Sequence, residues 1–113
     1  MTIANPIKKV NQLLRERKFD DAFKECQKSI EVNPNFSWNY YYLGKILAAQ
    51  NKWQEALIQY EEAVKINPNS ATFYYSLAKT LRHQGQLDEA IKYLKIVTSI
   101  IAYKIYKDTV IYT

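Results

Sequence analysis

Between Ser37 and Ser70, apolar and small residues recur with the period of a helix. Tyr40, Leu43, Gly44 and Leu47 fall at i, i+3, i+4 and i+7, along one face of a first helix. Ala56, Tyr60, Ala63 and Val64 follow the same periodicity along a second. Asn51-Lys52 is a short polar break between them. Asn67-Pro68 closes the second run, because the residue before a proline is pushed out of the α region. The stretch predicts an antiparallel helix pair.

The chain on either side repeats this pair. Ala22, Ala56 and Ala90 are spaced 34 apart, as are Asn33-Pro34 and Asn67-Pro68. The same period aligns Leu13, Leu47 and Leu81; Val10, Gly44 and Ala78; Phe19, Trp53 and Leu87; and Phe23, Leu57 and Ile91. Such a helix–turn–helix unit has a small residue at position eight, Ala at twenty and Pro at thirty-two, and it resembles the tetratricopeptide repeat family. The resemblance covers Ile3 to about Ile100. It implies an all-α fold: a right-handed solenoid of three antiparallel helix–turn–helix repeats with an extended C-terminal helix. The chain is then a single domain, 1–113, with units at about 3–36, 37–70 and 71–104.

The repeat positions carry a packing expectation. Gly44 or Ala78 in a first helix should face Ala56 or Ala90 in the second, letting two backbones approach closely. Tyr40 and Tyr74 should fill the open end of each pair, while Tyr60 and Leu94 wedge into the next unit. Each unit leaves an apolar face uncovered, so stability comes from stacking. The first unit is a worn copy. Asn5-Pro6 reads as a cap with proline at the first helical position, and its first helix should run from Pro6 to about Arg17. Pro6 and Lys9 stand where the other units have Tyr40/Tyr74 and Leu43/Leu77, so that first turn packs weakly. The second helix, about Asp20 to Val32, is regular.

The pattern breaks in the segment 96–113. Val97 replaces the small Ala63, and Ala102 stands where Pro68 stops the middle unit. A helix from Asp88 to about Lys107 would be roughly 30 Å long, against roughly 21 Å for its partner over 71–84. Ile101, Tyr103, Ile105 and Tyr106 are thereby left without cover. An exposed apolar patch of that kind marks an interface, and self-association as a two-fold homodimer is the expectation. A strand-like tail, or a missing further unit of a longer chain, are the alternatives.

Composition narrows the class. With 48% apolar residues, two glycines and three prolines, the chain is neither disordered nor linker-rich. It has no run of 18 apolar residues and no apolar leader core after Met1, so no membrane span is expected and a cytoplasmic setting is the default. Cys26, the one cysteine, occupies the inward position held by Tyr60 and Leu94 and reads as a small buried hydrophobe. The acidic residues Asp20-Asp21, Glu55 and Asp88-Glu89 open the second helices, where negative charge meets the positive end of the helix dipole. A repeated carboxylate pair is structural, not catalytic. His83, the one histidine, has no acidic residue at helical spacing and is expected to face solvent. No phosphate loop, metal-ligand cluster or nucleophile elbow is present, so neither an enzyme nor a cofactor is expected.

What remains is a binding surface. The resemblance implies a concave groove lined by first-helix positions, here Trp38, Tyr41, Tyr42, Lys45, Tyr75, Lys79 and Arg82. Tyr41/Lys45 and Tyr75/Lys79 are the same i, i+4 pair written one unit apart. Aromatic faces beside cations suit an extended protein segment bearing acidic residues or a C-terminal carboxylate. The function implied is a non-enzymatic scaffold or adaptor. Chaperone-binding family members use a clamp of Lys, Asn, Asn, Lys and Arg. The matching residues are Ile7, Asn11, Tyr42, Thr72 and Ser76, so only Asn11 agrees and that mode is not expected. The net charge of +5, with a basic run of Lys8, Lys9, Arg15, Arg17 and Lys18, makes single-stranded RNA the second-ranked partner. Similar arrays also occur as targeting modules of bacterial transferase systems, a third reading that rests on the family alone.

Overall fold

Apolar periodicity at 3.6 residues, broken every fifteen residues or so, gives six helices in the described residues 6–111 of the computed structural model. They are α1 (Pro6–Arg15), α2 (Phe19–Val32), α3 (Ser37–Ala49), α4 (Trp53–Ile66), α5 (Ala71–His83) and α6 (Leu87–Ile111). Helices pair as α1 with α2, α3 with α4 and α5 with α6, and each pair packs on the next through α2 with α3 and α4 with α5. The result is the solenoid of three hairpins. Its radius of gyration, 15.6 Å, exceeds the ~13 Å typical of a compact domain near this length.

The turn inside each hairpin is the same device three times. Arg17, Asn51 and Gly85 sit 34 apart and take the left-handed conformation, with φ of 58°, 61° and 78°. The next amide then reaches back five residues. Lys18 N–H donates to the Leu13 carbonyl at 2.8 Å, Lys52 to Leu47 at 2.9 Å and Gln86 to Leu81 at 2.9 Å. These bonds satisfy the last carbonyls of the first helix and turn the chain back along it. The turns between hairpins are different: Asn33 and Asn67 end α2 and α4 ahead of Pro34 and Pro68. The first helix accordingly stops at Arg15 rather than Arg17, because Arg17 is committed to the turn. Asn5 lies outside the described residues.

The core is a continuous strip of the repeat positions: Val10, Ala22, Cys26, Leu43, Leu47, Ala56, Tyr60, Leu77, Ala78, Leu81 and Ala90 are all buried. A Cβ on Gly44 would meet the Tyr60 ring before anything else. Tyr60 thus covers its own unit's glycine, beyond any wedging into the next unit. The remaining buried polar side chain of the seam, Asn39, accepts from Ser29 Oγ at 2.7 Å and donates to the Asn33 carbonyl at 3.0 Å.

The last helix runs through Ile111, further than the expected Lys107, and no strand forms in the described tail. Its 25 residues extend about 37 Å, against about 20 Å for α5. Ile101, Tyr103, Ile105, Tyr106 and Val110 are exposed on the overhang.

Candidate binding cleft between the second and third units

Packing α5 onto the α3–α4 pair brings aromatic rings together at the seam. Phe73, fully buried, meets Trp38 edge-on at 4.9 Å between ring centroids and lies 5.5 Å from Tyr41. Tyr41 also meets Trp38 and Tyr42 edge-on, each at 5.1 Å. Phe73 was not among the residues singled out from the sequence. Its repeat position holds Asn39 in the middle unit, which hid the aromatic cluster.

Above this floor lies a cleft of ≈ 380 Å³ between α3 and α5. Tyr41, Lys45, Tyr75 and Lys79 all line it, with Trp53, Tyr60, Ser76 and Thr80. Four of the seven groove residues expected from the sequence therefore meet at one place. Each lysine lies along an aromatic face: the Lys45 ammonium is 5.6 Å from the centroids of both Tyr41 and Tyr42, and that of Lys79 is 6.0 Å from Tyr75. The two i, i+4 pairs form as expected.

The other three sit elsewhere. Trp38 and Tyr42 belong to the seam between the first two units, where they border Val10 and Cys26. The Tyr42 hydroxyl accepts a bond from Asn11 Nδ2 at 3.0 Å, so the one residue shared with the chaperone clamp is already engaged. Arg82 does not line the cleft but a separate groove between α5 and α6, which Lys79, nearly one turn earlier on the same face, borders as well.

The electrostatics of the cleft are one-sided. No residue lining it is acidic. Lys9, Lys18, Lys28 and Lys65 hold carboxylate partners, but among the described residues Lys45 and Lys79 have none. Burial lowers the Lys45 pKa, and the nearby Lys79 charge lowers it further. Burial raises the Tyr41 hydroxyl, with Tyr42 adding to it and the Ser76 hydroxyl opposing. Two lysines beside tyrosine rings, with no acidic residue in the lining, make the cleft a cationic site with an aromatic floor.

The remaining candidate chemistry does not converge. His83 is exposed, as expected, yet it also stacks flat on Trp53 at 4.0 Å and 7°. Together with Gln84 Nε2 donating to Gln54 Oε1 at 2.9 Å, this ties α5 to α4. Cys26 is buried, and burial, with Glu25 adding, pushes its thiol up to about 12. Among the described residues no group of three or more His, Cys, Asp or Glu could hold a metal, and no helix is long and apolar enough to cross a membrane.

Three family profiles match the sequence: a TPR repeat over residues 44–81 and tetratricopeptide repeats over 25–58 and 71–102. The chain belongs to the tetratricopeptide repeat family. No curated protein matches the sequence. Among solved structures, MamA superposes with a TM-score of 0.81 at 24% identity, over 86% of this chain and 57% of that one. The type III secretion translocator chaperone SycD of Yersinia enterocolitica, in a structure described as an alternative dimer, gives 0.82 at 24% identity over 92% and 80%. At that identity the likeness is one of fold. This chain thus spans little more than half of the MamA chain. Tetratricopeptide arrays serve as protein-interaction modules, and the cleft sets two lysines without a carboxylate partner among the described residues beside aromatic rings.

Proposed function

We propose that the array is a non-enzymatic adaptor that binds an extended protein segment in the cleft between α3 and α5, through one or more carboxylates of that segment. One observation carries the reading: Lys45 and Lys79 converge on a single aromatic-floored cleft with no acidic residue in its lining. A carboxylate seated there accepts from both ammonium groups and relieves the repulsion that now acts on Lys45. Tyr75, 53% exposed, offers a face to an apolar side chain beside it. The basic run of the first unit supports RNA less well, because Lys9 is paired with Glu25 and Lys18 with Glu16.

The test is a displayed random-peptide library selected on the wild type. Enriched peptides should carry acidic residues next to apolar ones, and should lose roughly tenfold or more in affinity on a Lys45→Glu, Lys79→Glu double variant. Enrichment of peptides that bind the double variant equally well would overturn the assignment.

The α6 overhang supports a second association, between two copies of the chain. Ile101, Tyr103, Ile105 and Tyr106 stay exposed on a helix that outruns its partner, and SycD has been seen as a dimer. Sedimentation equilibrium should give a dimer for the wild type and a monomer for Ile101→Lys, Ile105→Lys. A monomeric wild type at high micromolar concentration would contradict it.

A further inference from the structure

The groove into which Arg82 points repeats, residue for residue, the seat of α5. Ala78, Lys79, Arg82, Leu87, Ile91 and Leu94 line it. One unit earlier the same positions are Gly44, Lys45, Ala48, Trp53, Leu57 and Tyr60, the face of α3 and α4 against which α5 packs. Burial records the difference. Leu57 and Tyr60 are 9% and 4% exposed under α5, whereas Ile91 and Leu94 are 50% and 41% exposed. The groove is therefore a helix seat, of ≈ 290 Å³, with no helix in it.

Among the described residues, the chain's own path does not fill it. In the first two units the second helix ends at an Asn-Pro turn that brings the next helix back into the seat. Here α6 continues about 15 Å past the equivalent point at Ile101. A second copy offers its overhang, but that helix carries Lys104 and Lys107 beside its apolar residues, with Asp108 as the single acid against them. Docking it would set those lysines against Lys79 and Arg82, in a groove whose lining has no acidic residue.

We infer that the α5–α6 groove binds an amphipathic helix from a different protein, with large apolar residues at i, i+4 and i+8 and an acidic residue beside them. The template is α5 itself: Phe73, Leu77 and Leu81 are buried at that spacing, and Phe73 packs on Trp38 and Tyr41 of α3. On the same helix Lys79 acts on Lys45 across the seam. In the open groove the position of Lys45 is held by Lys79 itself, with Arg82 one turn further along, so the incoming helix is favoured by a carboxylate where α5 has its lysine.

The probe is a fluorescein-labelled peptide of residues 70–84 of this chain, made in two forms: unaltered, and with Lys79→Glu in the peptide. The substitution exchanges two residues of similar helix propensity, so the ordering cost is shared. The acidic form should bind the full chain roughly tenfold more tightly than the unaltered form. Leu94→Glu in the protein, at a half-exposed site that tolerates charge, should abolish binding, and Arg82→Glu should erase the preference between the two peptides. Lys45→Glu, which disables the cleft between α3 and α5, should change nothing, so this inference stands or falls separately from that reading. Equal binding of both peptides, no binding of either, or binding indifferent to Leu94→Glu would overturn it. So would sedimentation showing a wild-type dimer that Leu94→Glu converts to monomer, since the occupant would then be a second copy.

Discussion

The ring of Tyr60 occupies the space that a Cβ on Gly44 would need, its Cε1 lying 2.5 Å from that position. The two residues sit at repeat positions eight and twenty-four, which hold Val10 and Cys26 in the first unit and Ala78 and Leu94 in the third. A large residue at one position goes with the smallest at the other. Gly44→Ala should therefore destabilise the protein by about 1–2 kcal/mol, overpacking outweighing the gain in helix propensity. The same change should cost markedly less in a Tyr60→Leu background, which reproduces the pair of the third unit. Thermal unfolding of the four proteins checks it, and strictly additive effects would show that the two positions are not coupled.

Gly85 is needed for a different reason. A Cβ there would meet nothing within 4 Å, but φ is +78°. Gly85→Ala should cost about 1 kcal/mol through backbone strain alone. At the equivalent turn of the first unit Arg17 already bears that strain at φ 58°, so Arg17→Gly should be neutral or mildly stabilising. Urea midpoints measured for both variants should move in opposite directions, or only the first should move.

Ser29 and Asn39 form a part-buried polar pair where the next unit has Ala63 and Phe73. Asn39→Ala leaves the Ser29 hydroxyl and the Asn33 carbonyl without their partner and should cost about 1–3 kcal/mol. Replacing both, Ser29→Ala with Asn39→Phe, should recover much of that loss, because the same two positions already pack as an apolar pair one unit on. A double variant less stable than Asn39→Ala would contradict the equivalence of the two seams.

The 34-residue spacing of Ala22, Ala56 and Ala90 made the three hairpins legible, since a helix pair and its stacking follow from which positions stay small and apolar. The missing proline at Ala102 likewise announced the long α6. What alignment could not supply was side-chain direction. Two small residues, Gly44 and Ala56, mark a close crossing, but nothing in their spacing shows that the Tyr60 ring, from a turn further along α4, fills the space beside Gly44. Arg82 shares a face of α5 with Lys79, but it lines only the groove between α5 and α6, whereas Lys79 borders both that groove and the cleft. The His83–Trp53 stack joins two units at positions no single repeat relates. The three left-handed turn residues had a signal in Gly85 and Asn51, both tolerant of positive φ, which Arg17 concealed.

Amide chemical-shift mapping tests the central claim most directly, with a library-selected acidic peptide titrated into labelled wild-type protein. Binding in the cleft predicts the largest changes at Tyr41, Lys45, Tyr75, Ser76 and Lys79, on the facing sides of α3 and α5, with α2 and the α6 overhang unmoved. Changes centred instead on α2, or on the overhang around Ile101 and Ile105, would contradict it.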